Sequence, residues 1–419
     1  MSEEQIKIYP YRWVILVIYM FVVSVNQLMW ITFAPVTGAA ASFYHVSDLS
    51  IGLLSMVFMV VFILVSIPAS AIIDIYGIKI AVGIGTVLTG LFGLMRGIMG
   101  DNFTWVMVAQ IGIAIGQPFL LNSLTTVAAR WFPIRERATA SGLGSLAMYF
   151  GIILGMALTP YLVIHSGMDR MLITYGIVSV IAAVFFLVLV KERPPTPACP
   201  SGQEERSLVY DGLKSMLRHK NYLLLLVIFF FGLGVFNAVA TWIEEIVRPR
   251  GFSITEAGMA GGLMIFGGLV GAVIISWLSD RYRRRVPFIL LALAVSSLGL
   301  IGITFATSYF LLLLSAFILG FFLLSAGPIG FQYGAEIAYP APEGTSNGLL
   351  LLMGQISGIA FIFGMDFFKS PGNGSMTNSL LILTGLLVMS VLLATRLKES
   401  TLLTERKPAE TAATSDQEK

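Results

Sequence analysis

Residues 26–35 read Asn26-Gln-Leu-Met-Trp-Ile-Thr-Phe-Ala-Pro35 and lie inside the first long apolar run, residues 13–35. A membrane-spanning helix needs about 20 apolar residues, yet this run carries two amides, a tryptophan and a proline near its middle. Polar groups at that depth are costly and usually face a neighbouring helix or a cavity. The segment therefore predicts either polar packing between helices or one wall of a substrate cavity.

The composition places the whole chain in a membrane. Its 419 residues are 57% hydrophobic and 12% charged, with a mean hydropathy of +0.86, which is typical of an all-α polytopic membrane protein. The formal net charge of +3 is too small to indicate nucleic-acid binding. The single cysteine, Cys199, excludes an intramolecular disulfide. No metal-ligand spacing is present, and we expect neither a metal nor a cofactor.

Apolar runs of about 20 residues, each long enough to span a membrane, recur twelve times between polar breaks. They cover residues 13–35, 51–73, 78–99, 103–128, 138–162, 168–190, 221–243, 255–279, 286–306, 309–334, 345–368 and 377–396. The longest polar interval separates six runs from six. We expect an N-terminal six-helix bundle (1–190), a cytoplasmic linker (191–220), a C-terminal six-helix bundle (221–397) and a disordered cytoplasmic tail (398–419).

Lysine and arginine residues are distributed unevenly about these spans. Of the 26 in the chain, five are predicted on the side opposite the N-terminus: Arg96, Arg170, Arg248, Arg250 and Lys369. Because cytoplasmic loops carry the excess of positive charge, both termini and the central loop are predicted to be cytoplasmic, in a plasma or inner membrane.

Two kinds of side chain are expected near the membrane surfaces. Arg96, which reaches into the third span, is expected to extend to the outer surface. Trp13, Trp105 and Trp242 are expected in the interfacial belts, where tryptophan is enriched.

The two halves of the sequence repeat. Asp74-Ile-Tyr76 after the second span corresponds to Asp280-Arg-Tyr282 after the eighth, at an offset of 206. At that offset Tyr149 corresponds to Gln355. Parallel six-helix repeats bind substrate near the midplane, between the halves. Tyr149 and Gln355 are therefore candidates to face that cavity.

Six spans plus six, a basic middle loop and Asp-led loops after the second and eighth spans resemble the major facilitator superfamily. Its loop pattern, Gly-x-x-x-Asp-Arg-x-Gly-Arg-Arg, is partly kept here. The matching residues are Asp74, Gly77 and Lys79 in the first copy and Asp280, Arg281, Arg284 and Arg285 in the second. The resemblance implies that these groups lock the cytoplasmic side of the outward-open state. Alternatively, they only set the topology.

Three segments narrow the resemblance: Asn26-Gln-Leu-Met-Trp30-Ile, Gln117-Pro-Phe with Trp131-Phe, and Glu336-Ile-Ala-Tyr-Pro340 followed by Glu343-Gly-Thr-Ser-Asn-Gly-Leu-Leu350. They are similar to the feline leukaemia virus subgroup C receptor family, facilitators that move choline and ethanolamine and were long discussed as haem exporters.

This resemblance implies a cage for a quaternary ammonium group. Trp30 matches one aromatic wall, whose face attracts a cation, and Asn26 matches a polar neighbour. Gln117 and Gln355 match glutamines that bind the polar end of the substrate. Asn237 stands where the family has a cage tyrosine, and it suits a primary amine or a hydrogen-bonding solute about as well as choline.

Acidic residues bear on the energy source. Proton-coupled facilitators usually carry a buried carboxylate in the cavity, and the first, fourth, fifth and tenth spans have none at mid-depth. Glu244 and Glu245, beside Arg248, are predicted to be solvated rim charges or a gate ion pair. Glu336 is predicted to pair with Arg130 or with backbone donors. Facilitated diffusion is therefore the simplest mechanism.

The sequence thus predicts a secondary transporter for a small polar or cationic organic solute such as choline or ethanolamine, working by alternating access as a monomer. The alternative is a proton-coupled efflux antiporter for drugs, siderophores or haem-like compounds, supported by 19 methionines and by Gly142, Gly151 and Gly155. The same glycines also suit helix packing, which we favour. A non-transporting receptor would be favoured by a large soluble domain, and an enzyme by a nucleophile–base pair, metal cluster or phosphate loop; the sequence shows neither.

Overall fold

The computed structural model describes residues 9–196, 216–338 and 343–399. Across these three ranges the regular structure is helical, without β-strands. Several predictions concern residues outside them: the first eight residues, most of the linker with Cys199, the Tyr339-Pro340 segment and the tail beyond residue 399.

Fifteen α-helices follow one another in the described ranges. They are α1 (Tyr11–Ile31), α2 (Thr37–Tyr44), α3 (Asp48–Tyr76), α4 (Ile78–Ile98), α5 (Phe103–Leu121), α6 (Leu124–Trp131), α7 (Ile134–Ser166), α8 (Met168–Leu189), α9 (Lys220–Thr241), α10 (Ile243–Val247), α11 (Ile254–Tyr282), α12 (Val286–Phe305), α13 (Tyr309–Ala338), α14 (Glu343–Phe367) and α15 (Thr377–Ala394). Two short 3-10 helices, Ala34–Val36 and Arg248–Arg250, connect α1 to α2 and follow α10.

Twelve of the helical segments are long and apolar enough to cross a membrane, which confirms the prediction of twelve spans. Two predicted spans are interrupted. The first breaks after Ile31 and continues through the 3-10 turn into α2. The fourth, predicted over 103–128, breaks after Leu121, where Asn122 donates to Ser66 Oγ on α3 at 2.9 Å.

Two compact units form from these helices. The first contains Met1–Ser207, Ala238–Gly262 and Ile362–Met376, and the second Leu208–Asn237, Leu263–Phe361 and Thr377–Lys419. We use "half" for the predicted bundles 1–190 and 221–397, and "unit" for these contact-defined bodies. We call the side reached at the end of the first span distal, and the side where α1 begins proximal. The first unit therefore contains the first half together with the distal ends of α9, α11 and α14.

Glycines bring helix backbones together within the first unit. A Cβ on Gly85 of α4 would lie 2.7 Å from the carbonyl oxygen of Gly116 on α5. Gly151 of α7 packs against the backbone of Ser24 on α1. Small residues at such crossings allow close van der Waals packing, which drives helix association in lipid. Gly151 therefore serves helix packing, as we had favoured for the glycines of this span.

The second unit has its own apolar core. Tyr222, Ile289 and Tyr333 are buried in one cluster with Phe229, and the Tyr222 hydroxyl donates to the carbonyl of Ser346 at 2.9 Å. This hydrogen bond ties α9 to α14. A buried hydroxyl with a partner avoids the cost of an unpaired polar group.

The two units begin matching helices in the same way. In the first, the Glu192 carboxylate accepts from the backbone N–H groups of Ile78 and Lys79 at 3.2 and 2.6 Å, at the start of α4. In the second, Glu399 accepts from Val286 N–H at 3.0 Å, at the start of α12. A carboxylate at a helix N-terminus pairs with free N–H groups and is favoured by the helix dipole. This match supports the internal repeat.

Candidate substrate site and charged distal cluster

The end of α1 is held by side chains of other residues. Pro35 has no N–H, so a regular helix cannot continue through it. Three successive carbonyl oxygens accept side-chain hydrogen bonds: Leu28 from Thr32, Met29 from Arg96 and Gln110, and Trp30 from Ser55. The backbone around Trp30 is therefore fixed by contacts from α3, α4 and α5.

Trp30 is buried at this break, with 7% of its surface exposed. Its indole Nε1 donates to the carbonyl oxygen of Ser55 on α3 at 3.1 Å. The ring is thus held between α1 and α3 in one orientation. Such a fixed aromatic face suits a binding wall, the role predicted for it.

Asn26 lies one turn earlier on α1 and is fully buried. Its Nδ2 donates to Thr89 Oγ1 on α4 at 3.1 Å and to the Ile113 carbonyl on α5 at 3.5 Å. Its Oδ1 has no partner among the described residues. The donors of this amide therefore serve helix packing, while its acceptor remains available.

Gln117 lies on α5 one turn after Ile113, the residue whose carbonyl Asn26 reaches. It is buried to 6% exposure, and within the described part of the chain its amide makes no side-chain hydrogen bond. Pro118 follows it inside the helix, and proline loosens the backbone there because it removes an N–H donor.

Tyr149 is half-buried on α7. It lies between Ala147, whose carbonyl accepts from Ser24 Oγ at 2.8 Å, and Gly151, which packs on Ser24. Its hydroxyl makes no hydrogen bond to any described residue. Asn26, Trp30, Gln117 and Tyr149 thus lie on α1 or on helices that pack against it near these residues.

The other two predicted site residues belong to the second unit. Asn237 Nδ2 on α9 donates to the Gly354 carbonyl on α14 at 3.1 Å. Gln355 is the next residue and is half-buried. The structure therefore brings Asn237 to the backbone beside Gln355, within that unit.

Arg96 corrects an expectation. It does not extend to the outer surface but is fully buried, with 0% exposure. Its guanidinium donates to the Met29 carbonyl, to Gln110 Oε1 and to Thr32 Oγ1 at 3.1, 2.9 and 3.3 Å. These acceptors explain the burial, since a buried cation needs hydrogen-bond partners.

Trp242 corrects a second expectation. It is fully buried rather than interfacial, its Nε1 donates to the Ile362 carbonyl at 3.1 Å, and its ring packs on Gly52. Trp13 and Trp105 are 40% and 45% exposed, and their place in the interfacial belts stays a prediction.

In the first copy of the loop pattern, Asp74 and Lys79 have exposed side chains. Gly77 has φ +86°, and a Cβ there would collide with Glu192 and Arg130. These two residues form an ion pair. The charge contact at this loop is therefore made by Arg130 and Glu192 rather than by Asp74.

In the second copy, Asp280, Arg281 and Arg284 are exposed and Arg285 is buried. Arg285 forms ion pairs with Asp280 and, at 3.1 Å, with Glu336. The prediction that Glu336 pairs with Arg130 is therefore wrong: Glu336 pairs with Arg285, and Arg130 pairs with Glu192.

A cluster of charged side chains lies at the distal end of the first unit. We call Asp48, Glu244, Glu245, Arg248 and Lys369 the distal cluster. Asp48 Oδ2 lies 2.9 Å from both Arg248 Nη2 and Lys369 Nζ, and Lys369 lies 2.6 Å from Glu245 Oε2. Arg248 also contacts Glu245. Asp48 begins α3, Glu244 and Glu245 lie on α10, Arg248 lies in the turn after α10, and Lys369 follows the end of α14 by two residues. The cluster therefore joins these four segments.

Glu244 completes this cluster. Its Oε2 accepts from the Gly38 N–H at 2.9 Å and lies 3.6 Å from Arg248 Nη1. The side chains of Glu244 and Glu245 are only 4% and 1% exposed. They are therefore buried ion-pair partners and not solvated rim charges.

Three carboxylates share two cations in this cluster. Burial raises the pKa of Glu245 to about 7 despite the neighbouring Lys369 and Arg248. Burial likewise raises the pKa of Glu244. One carboxylate lacks a matching positive charge, so the cluster is poised to take up a proton.

Twelve helices that are long and apolar enough to span a membrane indicate a multi-pass membrane protein. The chain belongs to the Major Facilitator Superfamily, whose family model matches residues 19–362, and it is therefore a membrane transporter and not an enzyme.

Several named relatives are similar over most of the chain. Solute carrier family 49 member A3 from Xenopus tropicalis is 30% identical over 385 residues, 88% of this chain and 80% of the relative. The choline/ethanolamine transporter FLVCR1 from Mus musculus is 28% identical, over 92% of this chain and 75% of the relative. The resemblance drawn from the sequence is thereby confirmed.

A solved structure supports the fold. A bacterial homologue of the human lysosomal transporter Spinster, in an inward-facing and unoccupied conformation, superposes with a TM-score of 0.69 at 15% identity. The match covers 93% of this chain and 96% of that one. At this identity the similarity concerns the fold alone, and it confirms the major facilitator architecture.

Proposed function

We propose that this protein carries a small amine or amino-alcohol, choline or ethanolamine, across the membrane by facilitated diffusion with alternating access. Trp30, Asn26, Gln117 and Tyr149 would bind it from the first half, and Asn237 and Gln355 from the second. Two relatives support this substrate class, since FLVCR1 from Mus musculus and flvcr2a from Danio rerio are both named choline/ethanolamine transporters.

The observation that carries the proposal is the set of unused polar groups along α1. Buried polar groups in proteins are normally hydrogen-bonded, yet the buried Oδ1 of Asn26 has no partner among the described residues. The Gln117 amide and the half-buried Tyr149 hydroxyl make no hydrogen bond to described residues either. A ligand with a hydroxyl or amine would supply the partner. The face of Trp30 would attract its positive charge.

Asn237 stands where the resembled family has a cage tyrosine. One N–H of its amide is donated to the Gly354 carbonyl at 3.1 Å, so only the remaining polar groups of the amide would bind the substrate. The cage would then have one aromatic wall. A one-sided cage suits ethanolamine, whose ammonium N–H groups need acceptors, as well as it suits choline.

Ligand-dependent thermal stabilisation tests the proposal, because a ligand that binds only the folded state raises the melting temperature. We expect choline and ethanolamine to stabilise the purified protein and Trp30→Ala and Gln117→Leu to lose that shift. Trp105→Ala, at an exposed tryptophan, is the matched control and should keep it. Stabilisation by a large amphipathic compound, with no response to either amine, would contradict the proposal.

A proton-coupled efflux antiporter is the second candidate, and the distal cluster is the observation that favours it. Buried carboxylates with raised pKa values are the feature that proton coupling requires. Under facilitated diffusion the same cluster would serve only to hold the distal ends of the two halves together. Dependence of substrate accumulation on a proton gradient separates the two candidates.

We further propose a monomer in the cell membrane with both termini and the 191–220 linker in the cytoplasm. The single cysteine offers a direct test, since Cys199 lies in the predicted linker. A membrane-impermeant maleimide should label it only after permeabilisation. Labelling of intact cells would reverse the proposed orientation.

A further inference from the structure

We propose that Arg96, together with Gln110, is a positioning residue for Trp30. It would fix the end of α1 so that the indole presents its face to the substrate. The role of Trp30 in binding rests on the proposed function. The effect of Arg96 on the position of Trp30 does not.

The contacts of Arg96 surround Trp30 along the chain. Nη1 donates to the Met29 carbonyl at 3.1 Å and Nη2 to Thr32 Oγ1 at 3.3 Å. The guanidinium carbon lies 5.6 Å from the centroid of the Phe33 ring. The Arg96 side chain therefore contacts Met29, just before Trp30, and Thr32 and Phe33, just after the end of α1.

Gln110 supplies a second anchor from α5. Its Nε2 donates to the same Met29 carbonyl at 3.2 Å, and its Oε1 accepts from Arg96 Nη1 at 2.9 Å. The three groups form a closed arrangement of hydrogen bonds around one carbonyl oxygen. Side chains from α4 and α5 therefore both hold the Met29 carbonyl in place.

The energetic cost of Arg96 argues for a specific role. It is fully buried, and no carboxylate of the described residues lies within ion-pair distance of it. A cation in the interior of a membrane protein is expensive and usually marks function. The planar guanidinium reaches three acceptors from two nitrogens in a fixed geometry, which the single nitrogen of a lysine ammonium does not reproduce.

Trp30 is then held from two directions. Its indole donates to Ser55 on α3, while its backbone is anchored through Met29 by α4 and α5. If the hydrogen bonds from Arg96 and Gln110 to the Met29 carbonyl are removed, we expect the backbone at Trp30 to move. The indole then either moves with the backbone or loses its hydrogen bond to Ser55. Both outcomes change the environment of the ring.

Fluorine NMR of the full-length protein labelled with 5-fluorotryptophan tests the positioning directly. The chain has 6 tryptophans, and loss of one resonance in Trp30→Phe assigns Trp30. We expect Arg96→Lys and Gln110→Leu each to shift the Trp30 resonance while those of Trp105 and Trp242 stay in place. Arg170→Met, at an exposed arginine, is the matched control and should shift none.

An unchanged Trp30 resonance in either folded variant would overturn the inference, and so would equal movement of all six resonances, which would indicate general loosening. If Arg96→Lys does not fold, Gln110→Leu alone decides, because it leaves Arg96 in place. This readout requires no substrate, so it stands even if the proposed function fails.

A binding cycle then connects the positioning to function. We expect Arg96→Lys to raise the choline concentration for half-maximal stabilisation about tenfold, and less than about twofold when Trp30 is already phenylalanine, because coupled residues are not additive. Equal effects in both backgrounds would show that Arg96 acts independently of Trp30. Absence of choline binding to the wild-type protein would refute the proposed function and leave the NMR result intact.

Discussion

The distal and proximal ends of the first unit both carry ion pairs, but of different kinds. At the proximal end, Arg12 pairs with Glu136 at 3.1 Å, with side chains 13% and 36% exposed. At the distal end, Lys369 pairs with Glu245, whose side chain is 1% exposed. The proximal pair is balanced in charge. In the distal cluster Glu244 and Glu245 are buried while the Arg248 side chain is 38% exposed, and the carboxylates outnumber the cations by one.

The partners also differ in their origin. Arg12, Glu136 and Arg130 come from the first half of the sequence, and Glu192 lies two residues after it. The distal cluster joins Asp48 of the first half to four residues of the second. The distal cluster therefore ties the first half to residues of the second half that belong to the same unit.

Lys369→Met should give the largest effect. It leaves three carboxylates with Arg248 alone, and removal of one partner from a buried ion pair costs about 4 kcal/mol. The free energy of unfolding, from reversible unfolding in mixed detergent micelles, measures this loss. Lys220→Met, at an exposed lysine, is the control. Equal stability of the two variants would refute the buried cluster, and partial rescue by Glu245→Gln in the Lys369→Met background would confirm its origin.

The pH dependence of stability should come next. Because the pKa of Glu245 is raised to about 7 by burial, the folded protein binds a proton that the unfolded chain releases above its ordinary pKa near 4.5. Stability from this group is therefore fully present at low pH and is lost as the pH rises from about 4.5 to about 7. The loss should be about 3 kcal/mol at most.

Glu245→Gln is the control for this titration, since an amide imitates the protonated carboxyl and should flatten the profile. The charged groups that act on Glu245 are Asp48, Arg248 and Lys369, and Glu244 precedes it on α10. A wild-type melting temperature that rises between pH 5 and 7.5 relative to the variant would contradict the assignment.

The two copies of the loop pattern allow a comparison at the proximal side. Gly77 has φ +86°, and Arg283, its counterpart at the offset of 206, has φ +52°. A non-glycine residue in this region costs about 1 kcal/mol, so Arg283→Gly should stabilise the protein by about that amount. Gly77→Ala should destabilise it, because the new Cβ would meet Glu192 and Arg130. Melting temperatures that move in the same direction would refute this comparison.

The smallest effect is expected for Arg12 and Glu136. A double-mutant cycle with Arg12→Met and Glu136→Gln should give a coupling free energy below about 1 kcal/mol, as for other partly exposed pairs. The corresponding cycle for Lys369 and Glu245 should exceed it severalfold. Similar couplings for the two pairs would remove the distinction between the ends.

Much of the fold could be predicted because lipid imposes long apolar runs, and these are visible in the sequence without partners. The breaks after Ile31 and Leu121 were missed because the residues that follow them, 32–35 and 122–128, carry no charge and were counted within the apolar runs. Pro35 was the available signal for the first break. For the second, the hydrogen bond from Asn122 to α3 becomes apparent only when the helices are packed.

The charged residues were harder to place. Arg96 was expected at the surface because an isolated arginine would extend there, and its acceptors come from other helices and from carbonyls that no sequence pattern displays. The distal cluster was predicted only as Glu244, Glu245 and Arg248, since Lys369 and Asp48 are distant in sequence. The direct neighbours of Trp30 could not be predicted for the same reason.

Uptake of labelled choline into proteoliposomes decides whether this protein carries choline by facilitated diffusion, with the membrane potential clamped so that the charge of choline does not drive accumulation. We expect entry until the inside and outside concentrations are equal, the same end point with or without a proton gradient, and loss of uptake in Trp30→Ala but not in Trp105→Ala. Uptake no faster than in empty liposomes, or uptake unaffected by Trp30→Ala, would contradict this expectation.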